Sequence, residues 1–285
     1  KSMSSLMKGF TFAKGKHKLK YPVYVEIKID EIRADVVCAV GAPVKIISYA
    51  GKPLHNLERF LYPLGQFMCN HNVGRIDCGV IVNGSFNDTY RWVRSKNGPP
   101  ADLKGAYITF ILFDLPDLTD MPYWQRIVHR NRAASLLRDY GVPTVTPERF
   151  EVSNEEEVYT HYEAARARGF EGLMVKTRDH LYEAGKRTYG WLKVKPENDA
   201  DAKIVGITEA VSEDGVPLGR VGSLQGVCED GSTVSIPGID HTTGGLWLTD
   251  PSLIVGSWVE FHYMEIDRAG GYRHPRFHRV REAKV

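Results

Sequence analysis

Cysteine is scarce in this chain. Four occur among 285 residues, at Cys38, Cys69, Cys78 and Cys228, and no two form a CxxC pair. That spacing argues against a zinc site and leaves free thiols suited to a reducing compartment. Long hydrophobic runs are missing too. No apolar stretch approaches the ~18 residues that a membrane helix needs, which argues against a membrane partner. The first residues lack the apolar core of a secretory signal, so a cytoplasmic location is expected. Neither charge sign is in excess: 37 Lys and Arg against 35 Asp and Glu give a formal net charge of +2. This balance permits nucleic-acid binding without demanding it. No repeat or low-complexity tract is evident. With 42% hydrophobic and 25% charged residues the composition is that of an ordinary folded protein.

The length suits two cores, one large and one small. The run from Tyr24 to Val40 is strand-like. Val25, Ile27 and Ile29 alternate with Glu26, Lys28 and Asp30, which puts the charged set on one face. Further strands are expected at Val44–Tyr49, Gly79–Val82, Ala106–Asp114, Gly172–Lys176 and Trp191–Lys195. A helix is expected after Asp120, with Trp124, Ile127 and Val128 on its apolar side. Another should start at Ser153, where Glu156 completes a capping box, and stop at Gly169.

The polar string Lys195-Pro196-Glu197-Asn198-Asp199 marks a boundary, giving domains 1–196 and 197–285. Beyond it only short strands are expected, at Ala202–Glu209, Ser223–Cys228, Thr233–Pro237, Trp258–Met264 and Arg276–Arg281. Five short strands separated by glycine-rich turns suit a small barrel of the OB type. The larger domain mixes strands and helices without a βαβ rhythm, so the fold class expected is α+β. Basic residues gather at both ends, in Lys8 to Lys20 and in Arg273 to Arg281. They read either as solvated charge or as a surface that meets phosphates.

Several segments, in a fixed order, carry a resemblance. Lys28-Ile29-Asp30-Glu31-Ile32-Arg33 resembles the KxDGxR signature of nucleotidyltransferases that form lysyl-AMP. Phe113-Asp114 looks like the motif whose ring packs on the purine. Glu171 to Lys176 matches an EGxxxK pattern, Trp191 to Lys195 a paired-lysine strand, and Arg273 to Arg281 a closing motif. Each is weak alone, since charged residues on a strand usually face water. Together and in order they resemble small, phage-type ATP-dependent DNA ligases over nearly the whole chain.

The resemblance implies a ligase-type adenylation domain followed by an OB-fold domain. It implies a nucleotide site formed by Glu26, Lys28, Ile29, Arg33, Phe113, Glu171, Lys176, Arg187, Lys193, Lys195, Arg273 and Arg281. Lys28, Asp30, Arg33, Lys193 and Lys195 would serve catalysis, and Glu171 would hold Mg²⁺. The substrates implied are ATP and nicked double-stranded DNA, handled by a monomer. The chemistry suits these residue types. An attacking amine must be neutral, and free lysine titrates near ~10.4. Nearby cations such as Arg33, Lys193 and Lys195 disfavour its charged form while neutralising phosphates.

Four positions depart from the pattern. Glu31 replaces a glycine. Tyr49 stands where an arginine is usual and normally meets the 5′-phosphate of the nick, a role that Lys45 or Lys52 would have to fill. Cys78-Gly79 follow Asp77 where Gly-Glu is usual. The glutamate so missing normally meets the ribose or a metal. Weakened sealing is expected unless neighbours compensate. An RNA ligase, a capping-type nucleotidyltransferase, or an impaired or engineered nick-binding variant therefore stay open as alternatives.

Overall fold

A computed structural model describes residues 6–281 and divides the chain between Val194 and Lys195. In the first unit the elements run β1 (Lys8–Thr11), α1 (Phe12–Gly15), β2 (Val23–Lys28), β3 (Ile32–Val37), β4 (Lys45–Ser48), α2 (Leu61–Asn70), β5 (Arg75–Val82) and α3 (Phe86–Arg94). They continue with β6 (Ile108–Asp114), α4 (Tyr123–Asp139), β7 (Thr144–Val145), β8 (Arg149–Val152), α5 (Glu155–Ala167), β9 (Gly172–Lys176) and β10 (Arg187–Val194).

The strands form two five-stranded sheets, in the orders β1-β10-β9-β2-β8 and β4-β3-β5-β6-β7. The expected continuous strand from Tyr24 to Val40 is therefore two strands in different sheets. The chain leaves the first sheet at Lys28 and enters the second at Ile32. Alternation fails as a guide here because β2 is buried along nearly its whole length, Glu26 included. A central strand covered on both faces loses the polar-out rhythm.

The main core lies between the second sheet and three helices. Val36, Ile76, Val80 and Leu112 pack against Leu64 and Phe67 of α2, Trp92 of α3 and Leu137 of α4. On α4 the buried face is not the expected one. Trp124 and Val128 are exposed, and Ile127 is buried beside Arg126 and Arg130. Two inward arginines break the apolar periodicity that sequence reading depends on. The α5 cap is shifted by one residue from the expected box. The Asn154 side chain accepts from the Glu157 amide at 2.9 Å, and the Glu157 carboxylate accepts from the Ser153 amide at 2.7 Å.

The second unit carries β11 (Asn198–Val211), β12 (Pro217–Cys228), β13 (Thr233–Pro237), α6 (His241–Thr249), β14 (Trp258–Tyr263), β15 (Glu265–Ile266), β16 (Tyr272–Arg273) and β17 (Arg276–Val280). Its main sheet is five-stranded, ordered β13-β12-β11-β14-β17, with β13 and β17 at the edges. This is the partly open barrel layout of an OB fold. The core includes Ala202, Leu224, Ile236, Val259 and Phe261. The expectation of short strands alone was too narrow: β11 and β12 span 14 and 12 residues, and α6 was missed. Gly244 and Gly245 weaken α6 as a helix in sequence terms. Gly244 nevertheless lets it approach β12, since a Cβ there would lie 3.2 Å from the Val221 carbonyl oxygen.

Candidate active site

Between the two sheets of the first unit opens a cleft of about 310 Å³. Sheet one supplies Glu26, Lys28, Met174, Lys176, Trp191 and Lys193, and sheet two supplies Arg33 and Phe113. Lys8, Gly9, Ile27 and Arg187, also from sheet one, and Ile29, Glu31, Tyr49 and Pro147 complete the lining. Residues that sequence reading drew from four of its five separate segments thus meet in one place.

Lys28 is the last residue of β2. Its Nζ donates to Glu171 Oε2 at 2.7 Å, and the two side chains are only partly exposed. The β2–β9 ladder sets this contact by pairing Lys28 with Gly172, the residue after Glu171. Arg33 donates to both oxygens of Asp77, at 3.0 and 2.6 Å. A paired guanidinium of this kind is fixed in plane and direction. Tyr182 Oη donates to the same carboxylate at 2.7 Å, and Trp191 covers the Arg33 guanidinium with its ring centroid at 5.1 Å.

Under the cleft floor lies a buried polar network. Glu26 accepts from Lys176 Nζ at 3.0 Å, from Arg130 at 3.4 Å and from the Tyr123 hydroxyl. Burial alone would raise the Glu26 carboxyl. Lys176 and Arg130 beside it, with hydrogen bonds from Tyr123 and Lys176, hold it down at about 2. Burial also lowers the Lys176 ammonium below its ordinary value. The Glu26 carboxylate is thereby fully engaged by these partners, although the residue lines the cleft. A second buried pair, Arg126 with Asp114 at 2.8 and 3.1 Å, anchors α4 to the end of β6.

His180 joins that layer. Its Nδ1 lies 2.7 Å from the Thr177 carbonyl oxygen and so carries the proton, leaving Nε2 to accept from Trp191 Nε1 at 2.8 Å. Burial and the neighbouring Arg126 push the imidazole down to about 3. It therefore stays neutral, and it fixes the Trp191 ring.

Not every expected residue reaches the cleft. Asp30 is exposed on the turn between β2 and β3 and lies outside the lining. Lys195 belongs to the second unit. So do Arg273, which pairs with Glu265 at 3.1 Å, and Arg281, which pairs with Asp201 at 2.5 Å and Glu260 at 2.7 Å. Neither Lys45 nor Lys52 lines the cleft. The cation beside Tyr49 is Lys8, whose Nζ lies 3.7 Å from the ring centroid.

Sequence reading assigned no role in this site to Lys8, Gly9, Trp191, Tyr182, Tyr123 or His180. Gly9 carried the one legible signal. A Cβ there would lie 2.4 Å from the Trp191 carbonyl oxygen, so glycine is what lets β1 lie against β10. Cys78 points away from the cleft, into the core of the second sheet. Glu31 leans over Gly79, where burial raises its carboxyl to about 7 against the pull of Lys28 and Arg33.

Comparison with known proteins bears on the fold and the family. The family model described as "ATP dependent DNA ligase domain" matches residues 7–195. The chain is similar to the DNA ligase of Enterobacteria phage T3, 32% identical over 175 residues. That match covers 59% of this chain and 49% of the T3 protein, so the chain spans about half the length of this relative. Among solved structures, the fold is that of the ATP-dependent DNA ligase of bacteriophage T7 in complex with ATP. Its TM-score is 0.78 at 23% identity, covering 97% of this chain and 98% of the other. The Chlorella virus DNA ligase-adenylate gives a TM-score of 0.69 at 22% identity, with complete coverage of both chains. With its first unit matched almost throughout by that family model, the chain belongs to the ATP-dependent DNA ligase family.

Proposed function

We propose that this chain seals nicks in duplex DNA at the expense of ATP, with Lys28 carrying AMP between two steps. Residues 1–196 would form the nucleotidyltransferase domain and 197–285 the OB-fold domain. The outer limits of both lie outside the described residues. The observation that carries the reading is the Lys28 amine at the cleft, 2.7 Å from Glu171, in a lining that also holds Arg33, Arg187 and Lys193.

In the first step Lys28 Nζ attacks the α-phosphorus of ATP. The N–P bond forms, the bond to pyrophosphate breaks, and the amine gives up its proton. Phosphoryl transfer asks for positioning and charge compensation more than covalent help. Lys193, Arg187 and the Asp77-fixed Arg33 supply positive charge to the phosphates. Phe113, backed by the Trp191 cluster, offers an apolar face to the base. An oxygen of the 5′-phosphate at the nick then attacks the AMP phosphorus, the N–P bond breaks, and the Lys28 amine is freed as AMP passes to the DNA. The 3′-hydroxyl attacks that phosphorus, forming the phosphodiester and releasing AMP.

Mg²⁺ fits the donor set here. It is usually held by one or two carboxylates together with substrate phosphates, and Glu171 provides a carboxylate beside the nucleophile. Glu171 would hold the ion, which when bound adds positive charge at the phosphate oxygens. Arg273 and Arg281 are proposed to act on the leaving pyrophosphate.

Incubation with α-labelled ATP and Mg²⁺, followed by nicked duplex, tests the proposal. Label should move from ATP to protein, then leave as AMP while the nick closes. Failure to label the protein or to seal the nick would contradict it.

A further inference from the structure

Glu31 and Gly79 belong to one arrangement. Gly79 sits on β5 opposite Arg33 of β3. A Cβ placed on Gly79 would fall 2.4 Å from Glu31 Oε2, 2.7 Å from its Cδ and 2.8 Å from its Cγ. Real β-carbons do not approach other atoms so closely. The Glu31 side chain therefore occupies the room that any side chain at 79 would need, and only glycine at 79 leaves it there.

One oxygen of the carboxyl is also unsatisfied. Oε2 is shielded from solvent and has no hydrogen-bond partner, although the residue lines the cleft beside Lys28 and Arg33. Burying a polar oxygen without a partner costs free energy that the fold does not recover by itself. An oxygen left so, in a cleft that receives a ligand, calls for a donor on that ligand.

The kind of donor follows from position. Phosphate oxygens are acceptors and carry negative charge, which a carboxylate repels. The proposed metal ligand of this cleft is already Glu171, beside the Lys28 amine. In a nucleotide the sugar links the base to the α-phosphate. If Lys28 meets that phosphate, Glu31, which lines the same cleft, faces the adjoining sugar, whose donors are hydroxyls.

We propose that Glu31 contacts a sugar hydroxyl of the bound nucleotide and sets the preference for a ribonucleotide, with Gly79 making room for it. The inference rests on the reading of the cleft as a nucleotide site. It turns two departures from the family pattern into one exchange, in which the carboxyl reaches the cleft from position 31 instead of 79.

The test measures protein–nucleotide adduct formation with ATP, 2′-deoxyATP and 3′-deoxyATP. Four proteins are compared: the parent, Glu31→Gln, Glu31→Gly, and the reciprocal Glu31→Gly/Gly79→Glu, each checked for folding by thermal melting. The parent should favour ATP over at least one deoxy analogue by about tenfold or more, as a hydrogen bond to a carboxylate allows. Glu31→Gly should lose that preference, Glu31→Gln should keep only part of it, and the reciprocal protein should regain it. Equal use of all three nucleotides by the parent would overturn the proposal, as would an equal loss for all three in a folded Glu31→Gln or Glu31→Gly protein. A parent that forms no adduct with any nucleotide overturns the Lys28 reading itself, and this inference with it.

Discussion

Lys28 and Glu171 lie 143 positions apart in the chain, yet the ammonium of one meets the carboxylate of the other at 2.7 Å. The pairing of β2 with β9 fixes this distance by setting Lys28 opposite Gly172. The pair is partly open to water, so its contribution to stability is small, about 0–1 kcal/mol. Its position beside the cleft makes it matter for chemistry.

Glu171→Gln separates these two roles. Its thermal midpoint should stay within a few degrees of the parent, while the rate of adduct formation should fall by about 100-fold or more, as for loss of a principal electrostatic contact. Melting curves and initial rates with labelled ATP give both numbers. A large loss of stability with the rate preserved would assign Glu171 to the scaffold.

Glu26 should behave in the opposite way. It is buried with Lys176 and Arg130, and Glu26→Gln strands two cations, at a cost of about 3–5 kcal/mol at neutral pH. The sign of the pH dependence follows from its lowered pKa. In the unfolded chain the carboxyl titrates near 4.5, and in the folded chain at about 2. Its stabilisation is complete above about pH 4.5 and is lost as the pH falls through about 2. Urea denaturation at pH 7, 4 and 3 should show the gap between parent and variant narrowing as acid is added. A gap independent of pH would contradict the assignment.

The opening segment forms part of a basic aromatic surface. Phe10 stacks on Tyr189 with centroids 4.2 Å apart, Lys14 lies 4.9 Å from the first ring, and Lys18 lies 4.0 Å from the second. If this face meets DNA phosphates, Lys14→Ala/Lys18→Ala should weaken binding to nicked duplex. The slope of log affinity against log salt should drop by about 2. Unchanged affinity and slope in a fluorescence titration would mean that the two lysines simply face water.

Much of the site was legible in the sequence because its chemistry is carried by residue type at fixed spacing. Lys28, Arg33, Lys176 and Lys193 converge on one cleft as their order implied. The architecture around them was less legible, for physical reasons. A strand buried on both faces hides its ends, so the passage from β2 to β3 read as one strand. Arginines 126 and 130 point inward because Asp114 and Glu26 receive them, a pairing that local periodicity does not encode. The cation beside Tyr49 comes from Lys8, which only the parallel pairing of β1 with β10 brings there.

The most direct test is mass spectrometry of the intact protein after incubation with ATP and Mg²⁺, followed by peptide mapping. The account expects one AMP per chain, attached through nitrogen to Lys28, absent in Lys28→Ala and released on addition of nicked duplex. Attachment at another residue, or an unmodified parent at saturating ATP, would contradict it.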